Sequence, residues 1–201
     1  MGFGKPGIRI LGIAESWTGR ERSILAGVVM RGDLRIDGSA ITHLTVGGTD
    51  ATDAVLHLFS SLSRSDINLI LISGAAIAWY NIINPDRIRE AARTPVIIIT
   101  YEESGGLEEA IGRHFPGDIK RLDAYRALGE RDCICLKTGY PVYIRRSGIP
   151  LEDAARIINR FTLDGRVPEP VRVARLFARS VMQSALNGRE SDHPPYDTHQ
   201  A

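Results

Sequence analysis

The chain contains 201 residues, of which 43% are hydrophobic and 24% are charged, and it carries a formal net charge of +1 at pH 7. This composition is typical of a globular protein with a buried core, and the longest apolar runs, residues 67–72 and 96–99, are too short to span a membrane. The near-neutral balance argues against a strongly basic nucleic-acid-binding protein, although charge can still be concentrated on one face.

Cysteine content and the first residues of the chain indicate the compartment. The chain has two cysteines, Cys133 and Cys135, so it is not a disulfide-stabilised scaffold. Residues 1–9 lack the apolar segment of a secretory signal. We therefore expect a cytoplasmic protein without a membrane partner. Because no second pair of Cys or His residues lies nearby, we expect the two cysteines to be small buried hydrophobic residues rather than zinc ligands.

Three strands are predicted at the start of the chain. Residues 8–14 and 24–30 are apolar segments, and residues 34–46 alternate between apolar and polar side chains. Gly32 and Asp33 form a turn signal between the second and third segments. This order predicts an antiparallel meander.

Helices and strands alternate after the meander. Residues 50–62 have the apolar spacing of a helix, and residues 69–72 are continuously apolar, as in a strand covered on both faces. Asn84 and Pro85 indicate the start of a second helix, with the asparagine as N-cap. The other predicted elements are a buried strand at 96–100, edge strands at 133–136 and 142–145, and helices at 104–114, 119–128, 151–161 and 168–186.

The fold class that this order predicts is α/β, with a mixed sheet and helices on both faces. A three-stranded meander followed by alternating helices and strands matches a ribonuclease H-like topology. We expect the first and central strands to be adjacent, so that Ala14 and Ser73 lie near each other. The expected organisation is one domain over residues 1–187 and a disordered tail over residues 188–201, which is polar and contains two consecutive prolines.

The last predicted helix carries a basic stripe. Arg172, Arg175 and Arg179 are spaced i, i+3 and i+7, which places them on one face. A solvated arginine edge on an amphipathic helix is the favoured interpretation, and a ridge that contacts phosphates is the alternative. Glu169 lies in the first turn, where the helix dipole favours a carboxylate.

Motifs for nucleotide cofactors are absent from the sequence. It has no Walker loop and no dinucleotide-binding fingerprint, so we expect no nucleotide cofactor. It also has no nucleophile elbow of the kind found in hydrolases. The five histidines are scattered along the chain, which argues against a histidine-based metal site.

Five stretches of the sequence, taken in order, resemble the endonuclease dU family. No single stretch is specific, but the set spans residues 5–186, nearly the whole predicted domain. The stretches are KPGIRILGI at 5–13, LAGVVMRG at 25–32, GTDAT at 48–52, SGAAIAWYNI at 73–82 and VPEPVRVA at 167–174.

The resemblance implies a ribonuclease H-like fold akin to endonuclease V. It also implies cleavage of DNA near deaminated bases, here deoxyuridine, with a divalent metal ion, Mg²⁺ or Mn²⁺. Such ions prefer oxygen ligands, activate water and neutralise charge that develops on the phosphate. The carboxylates of such a site are expected at the carboxyl ends of adjacent strands.

The sequence departs from the family pattern at the expected metal ligands. Acids that the family usually carries are replaced at four positions, Ala14, Gly47, Ser73 and Asn84. Glu15 and Asp50 are the retained carboxylates, and we assign them to metal binding and, together with Ser73, to catalysis. Asp53 and Glu169 are secondary candidates.

Nucleic-acid contacts are assigned to aromatic, amide and arginine side chains, namely Trp79, Tyr80, Asn81, Arg172 and Arg175. Trp79 and Tyr80 follow the central strand, where an aromatic ring can stack on an unpaired base. Core packing is the alternative for these rings, and it is favoured for Tyr80. We expect one cleft to be lined by Glu15, Asp50, Ser73 and Asn81.

Two functions are open at this point, and DNA is the expected partner in the first. One is a metal-dependent endonuclease with a site rebuilt around Glu15 and Asp50. The other is a catalytically lapsed relative that binds nucleic acid or a protein. The family resemblance favours the first function, and the replaced acids favour the second.

Overall fold

The structure is a computed structural model that describes residues 7–19 and 21–191. Its elements, in chain order, are β1 (Arg9–Ser16), β2 (Arg22–Arg31), β3 (Ile36–Thr45), α1 (Ala51–Ser61), β4 (Leu69–Ser73), β5 (Ala76–Ile77), β6 (Asn81–Ile82), α2 (Pro85–Ala92), β7 (Val96–Thr100), α3 (Glu108–His114), α4 (Ile119–Arg126), β8 (Asp132–Cys135), β9 (Pro141–Ser147), α5 (Leu151–Arg160) and α6 (Glu169–Ser191). Seven strands form one sheet in the order β3-β2-β1-β4-β7-β9-β8, and β5 pairs with β6 in a small hairpin.

The sheet is mixed, as the sequence predicts. Strands β1, β2 and β3 form the antiparallel meander, β4 and β7 run parallel to β1, and β9 and β8 complete the sheet in antiparallel orientation. The expected adjacency of the first and central strands is confirmed, because β1 pairs directly with β4 and Ile13 lies opposite Ile72. Ala14 and Ser73 each follow one of these paired residues, so the two positions lie side by side at the carboxyl ends of the strands.

Helices cover both faces of the sheet, which confirms the predicted α/β class. The apolar runs of β4 and β7 bury side chains on both faces, as central parallel strands require. On one face these side chains pack with Ile157 of α5, with Phe161 directly after α5, and with Ala174 of α6. On the other face they pack with Val55 and Leu58 of α1.

Gly12 allows α6 to lie directly against β1. A Cβ atom at Gly12 would lie 2.3 Å from the backbone carbonyl carbon of Pro170, which is closer than any side chain tolerates. The first turns of α6 therefore approach the backbone of the strand itself. This contact brings Arg175, on the second turn of α6, to the carboxyl end of β4.

Several sequence-based expectations differ from the structure. Residues 142–145 were expected to form an edge strand, but β9 lies between β7 and β8. The expected burial of Cys133 and Cys135 is also wrong, because they lie on the outer side of the edge strand β8 and only Ile134 faces the core. The hairpin of β5 and β6 was not predicted.

Two helix boundaries also differ. Helix α3 begins at Glu108 rather than at residue 104, because the glycine pair 105–106 lies in the preceding loop. Helix α6 continues past residue 186 to Ser191. Residues 192–201 of the predicted disordered tail lie outside the described residues. Within the part of the chain that the structure describes, no helix is long and apolar enough to cross a membrane.

Candidate functional site

Glu15 lies at the end of β1 and is held by two neighbouring segments. Its Oε2 atom accepts a hydrogen bond of 2.6 Å from Ser23 Oγ on β2, and its Oε1 atom accepts one of 3.4 Å from the backbone N–H of Ala78. Burial raises the pKa of the Glu15 carboxyl, whereas these two hydrogen bonds and the charge of Arg175 act in the opposite direction. Both carboxylate oxygens are therefore already in use within the protein.

Ser73, at the end of β4, binds an arginine. Its Oγ atom accepts a hydrogen bond of 3.0 Å from Nη2 of Arg175. The positive charge of the same guanidinium favours the ionised form of Glu15, so this group acts at the ends of both β1 and β4. A fixed positive charge thus lies beside two of the residues that we assign to catalysis.

Asp50 and Asn81 form a separate, tightly bonded pair. Asp50 accepts hydrogen bonds from Asn81 Nδ2 at 2.6 Å and from Thr45 Oγ1 at 2.8 Å. Burial opposes ionisation of Asp50, but the hydrogen bonds from Asn81 and Thr45 outweigh it and lower its pKa. Asp50 is thus an ionised carboxylate that anchors the loop between β3 and α1.

Asn81 performs the capping of α1 that its own N-cap residue does not. Asn81 Oδ1 accepts the backbone N–H of Ala51 at 2.9 Å, and Nδ2 also donates to the Thr45 carbonyl oxygen at 3.0 Å. The side chain has an exposed fraction of 0%. In this structure Asn81 joins the β5–β6 hairpin to α1 and presents no surface to a ligand.

The acidic residues do not assemble a site that fits Mg²⁺ or Mn²⁺. Among the described residues, no group of three or more His, Cys, Asp or Glu side chains could hold a metal ion. No hydrogen bond of the described chain links Glu15 or Ser73 with Asp50 or Asn81. The guanidinium of Arg175 also brings positive charge to the strand ends where a divalent cation would need carboxylates.

The secondary candidates for metal binding are engaged elsewhere. Glu169 is buried and forms an ion pair with Arg172, one turn further along α6. Asp53 is exposed and forms an ion pair of 2.5 Å with Arg87. Asn84, at a position where the family carries an acid, caps α2 by accepting the backbone N–H of Arg87 at 3.0 Å.

An aromatic cluster covers the tip of the β5–β6 hairpin. The tip residues Ala78, Trp79 and Tyr80 have φ angles of 41°, 63° and 58°, a left-handed run that costs free energy in residues other than glycine. Trp79 is 42% exposed and makes edge contacts with Trp17 at 5.9 Å and His114 at 5.1 Å between ring centroids. The strained tip therefore presents one indole ring to solvent.

Tyr80 is partly buried within this cluster. Its ring stacks on that of His114 at 5.6 Å between centroids and meets Phe115 at 6.1 Å. The packing contribution that we favour for Tyr80 is thus present in the structure. Trp17, His114 and Phe115 were not predicted from the sequence, because they come from two distant segments without a shared pattern.

Arg121 fixes the loops beneath the aromatic cluster. This buried side chain donates to the carbonyl oxygens of Gly47, Gly48 and Tyr80 at 2.6–2.8 Å, and its guanidinium lies 4.0 Å from the centroid of the Phe115 ring. One charged group thereby joins α4 to the hairpin and to the loop before α1. Its structural role could not be inferred from a single arginine in a helix.

A cavity of about 470 Å³ opens at the carboxyl ends of β4 and β7. Three arginines line it, Arg131, Arg166 and Arg175, together with Ser73 and Tyr101. Of these, only Ser73 and Arg175 were candidates from the sequence. Arg131 and Arg166 lie in loops, where charged residues usually have no distinguishing pattern.

The fold is an α/β fold of the kind seen in endonuclease V structures. A crystal structure of an Archaeoglobus fulgidus protein of unknown function superposes with a TM-score of 0.74 at 24% identity, covering 87% of this chain and 98% of the other. Endonuclease V of Ciona intestinalis, in complex with a 24mer DNA containing an inosine, superposes with a TM-score of 0.61 at 16% identity, covering 89% of this chain and 87% of the other.

The chain belongs to the endonuclease dU family, whose model matches residues 6–182. A UPF0215 protein of Pyrobaculum calidifontis is 36% identical over 175 residues, which cover 86% of this chain and 96% of that protein. The resemblance found in the five sequence stretches is thereby confirmed.

Proposed function

We propose that this chain binds DNA at the carboxyl edge of its sheet, and that its Mg²⁺- or Mn²⁺-dependent cleavage of uracil-containing DNA is weak or absent. The observation that carries the proposal is the hydrogen bond from Arg175 to Ser73 beside Glu15. A guanidinium occupies the strand ends where the family pattern has carboxylates, and a guanidinium binds phosphate without a metal ion.

Family membership supports DNA as the partner. The related endonuclease V of Ciona intestinalis is seen with DNA, and its fold is that of this chain. The exposed indole ring of Trp79 and the arginines of the cavity supply the two components of single-strand binding, which are stacking on bases and attraction of the phosphate backbone.

The small number of carboxylates available as metal ligands supports the proposal that cleavage is weak. Hydrolysis by two metal ions needs ions held about 3.5–4 Å apart by several carboxylates. Of the residues assigned to catalysis, only Glu15 and Asp50 are acids, and each is bonded to different protein groups. Two carboxylates, with a total charge of −2, do not neutralise a pair of divalent ions.

Binding of a fluorescent, uracil-containing single strand tests the proposal by fluorescence anisotropy, with Mg²⁺ or with a chelator present. We expect binding in both conditions, and little cleavage when the Mg²⁺ samples are examined on a denaturing gel. Trp79→Ala should weaken binding about tenfold, because stacking contributes about 1–3 kcal/mol per base. Its melting temperature should change little, since the ring is 42% exposed.

Ile36→Ala is the matched control. Ile36 is 52% exposed at the start of β3 and pairs with Met30, which lies opposite Ile10, so it is at the amino end of β1 and far from the proposed binding edge. Its replacement should leave DNA affinity unchanged. Loss of binding in the chelator, or rapid cleavage that Glu15→Gln abolishes, would favour the metal-dependent endonuclease instead.

A further inference from the structure

The cavity at the ends of β4 and β7 concentrates positive charge from three separate parts of the chain. Arg131 precedes β8, Arg166 lies between α5 and α6, and Arg175 lies on α6. Glu102 is the acidic residue that lines the cavity; its side chain is 80% exposed and pairs with Arg166 at 3.3 Å. Glu15 adds a second negative charge next to Arg175. Positive charge therefore exceeds negative charge at this site.

Hydrogen bonds hold each guanidinium in place. Arg131 donates to the carbonyl oxygens of Glu102 and Ser104, at 3.0 and 2.9 Å, and Arg166 donates to that of Tyr101 at 2.6 Å. These bonds fix the loop after β7 and orient the arginines. A guanidinium has five N–H donors, so each arginine keeps donors for a ligand.

Arg175 has the largest unused donor capacity of the three. Among the hydrogen bonds of the described residues it makes one, from Nη2 to Ser73 Oγ. Its guanidinium also lies 5.8 Å from the centroid of the Tyr101 ring, which supports the group from one side. The planar fork is thus positioned, but most of its N–H groups are not bonded to protein.

The lining of the cavity includes the buried side chain of Tyr101. Its hydroxyl lies near Ser73 and has no hydrogen-bond partner among the residues that the structure describes. Burial raises the pKa of Tyr101, so its hydroxyl is protonated at neutral pH and can donate. A buried donor that lacks an acceptor is unfavourable, and a bound oxyanion would supply that acceptor.

We propose that this cavity is a phosphate-binding site in which Arg131, Arg166 and Arg175 are the ligand-binding residues. The volume of about 470 Å³ falls within the range of small-ligand sites, about 300–1,000 Å³, and exceeds the needs of a phosphate alone, so a phosphate attached to a sugar fits. The phosphate of a bound DNA strand is the source we infer, and this part of the inference rests on the proposed function. The phosphate site itself does not.

Calorimetric titration of the full chain with inorganic phosphate tests the site. We expect binding in the low millimolar range or tighter, and a loss of about tenfold or more in Arg175→Gln, because charge-assisted hydrogen bonds to phosphate are lost. Arg179→Gln is the matched control, since Arg179 is exposed on the same helix and does not line the cavity. It removes the same charge and should bind phosphate like the unmodified chain.

Arg166→Gln provides a second variant in case Arg175→Gln fails to fold, and melting temperatures identify such a failure. Equal phosphate affinity in the unmodified chain and in the folded variants would overturn the site, as would absence of binding to the unmodified chain in the millimolar range. In either case the arginines serve only to fix the loop after β7.

Competition identifies the source of the phosphate. Inorganic phosphate should displace the labelled single strand, and Arg175→Gln should weaken strand binding more than Arg179→Gln does. Phosphate binding without displacement would keep the phosphate site but reject a DNA strand as its source. Strand binding that depends on Trp79 but is unaffected by phosphate would support the proposed DNA binding and would reject the cavity as the place where the strand's phosphate binds.

Discussion

At the scale of single residues, Glu15 is a buried carboxylate whose hydrogen bonds all come from neighbouring protein groups. It is desolvated between β1, β2 and the β5–β6 hairpin, and burial is the largest influence on its pKa. The charge of Arg175 only partly offsets this cost. A glutamate whose ionised form is disfavoured in the folded state lowers stability wherever it is ionised.

Glu15→Gln tests this account through the pH dependence of stability. Because the folded-state pKa is raised from 4.5, Glu15 contributes stability that is present below that value and is lost as pH rises through the higher folded-state pKa. Glutamine keeps one oxygen that can accept from Ser23, loses the long bond of 3.4 Å from Ala78, and does not titrate. The variant should therefore gain melting temperature relative to the unmodified chain between mildly acidic and neutral pH.

Thermal unfolding across this pH range measures the difference. Glu21→Gln is the control, because Glu21 is exposed before β2 and is solvated in both states. If the Glu15→Gln variant instead became less stable than the unmodified chain as pH rises, the account would be contradicted. Such a result would mean that the charge of Arg175 outweighs the burial of Glu15.

The candidate residues were predictable from sequence where the family pattern or helical spacing reached them. Asp50 and Ser73 lie in two of the five resembling stretches, and Glu15 lies just after the first of them. Arg131 and the Tyr101 hydroxyl were not predicted, because they are brought to the site by the pairing of β4, β7 and β9, which no local spacing records. Side chains that are far apart in the sequence meet here only because of the order in which the strands pair.

At the scale of elements, the β5–β6 hairpin depends on bonds that come from outside it. It has two residues in each strand, too few to be stable alone. Asn81 joins it to α1, and Arg121 joins its tip to α4. These contacts hold the left-handed run at 78–80 and so present Trp79 to solvent.

Asn81→Ala should therefore destabilise the protein by about 2–3 kcal/mol, because it leaves the Ala51 N–H and the Thr45 carbonyl oxygen without their buried partner. Urea unfolding measures the loss. Asn84→Ala is the matched control, an exposed N-cap of α2 whose removal should cost about 1 kcal/mol. Equal losses in the two variants would show that Asn81 acts only as an ordinary cap.

Sequence periodicity predicted well the elements whose own apolar pattern determines how they are buried. Strand β7 was predicted at its observed bounds, because five apolar and β-branched residues end at a polar segment. The position of β9 inside the sheet was not predictable, since its alternating pattern is that of an edge strand with one covered face. Its burial comes from the neighbouring strands and from α5.

At the scale of the whole molecule, one mixed sheet carries arginines at the edge where the family resemblance implies acids. The close approach at Gly12 sets α6 against β1, and the parallel pairing of β1 with β4 brings Glu15 and Ser73 to the same edge. Arg175 then donates to Ser73 and acts on Glu15 through its charge. A fixed positive charge therefore lies at the strand ends, where the family resemblance implies carboxylates.

Adding a carboxylate and removing this positive charge should create metal binding, and global unfolding reports it. Ser73→Asp together with Arg175→Gln places a carboxylate beside Glu15 and removes the competing charge. A ligand that binds only the folded chain raises its stability by RT ln(1 + [L]/Kd), so the melting temperature of this double variant should rise with Mg²⁺ or Mn²⁺ concentration. Ser73→Asn with Arg175→Gln, which lacks the new carboxylate, should not respond. A rise of equal size in the unmodified chain would contradict the prediction, because Glu15 and Asp50 would then suffice as ligands.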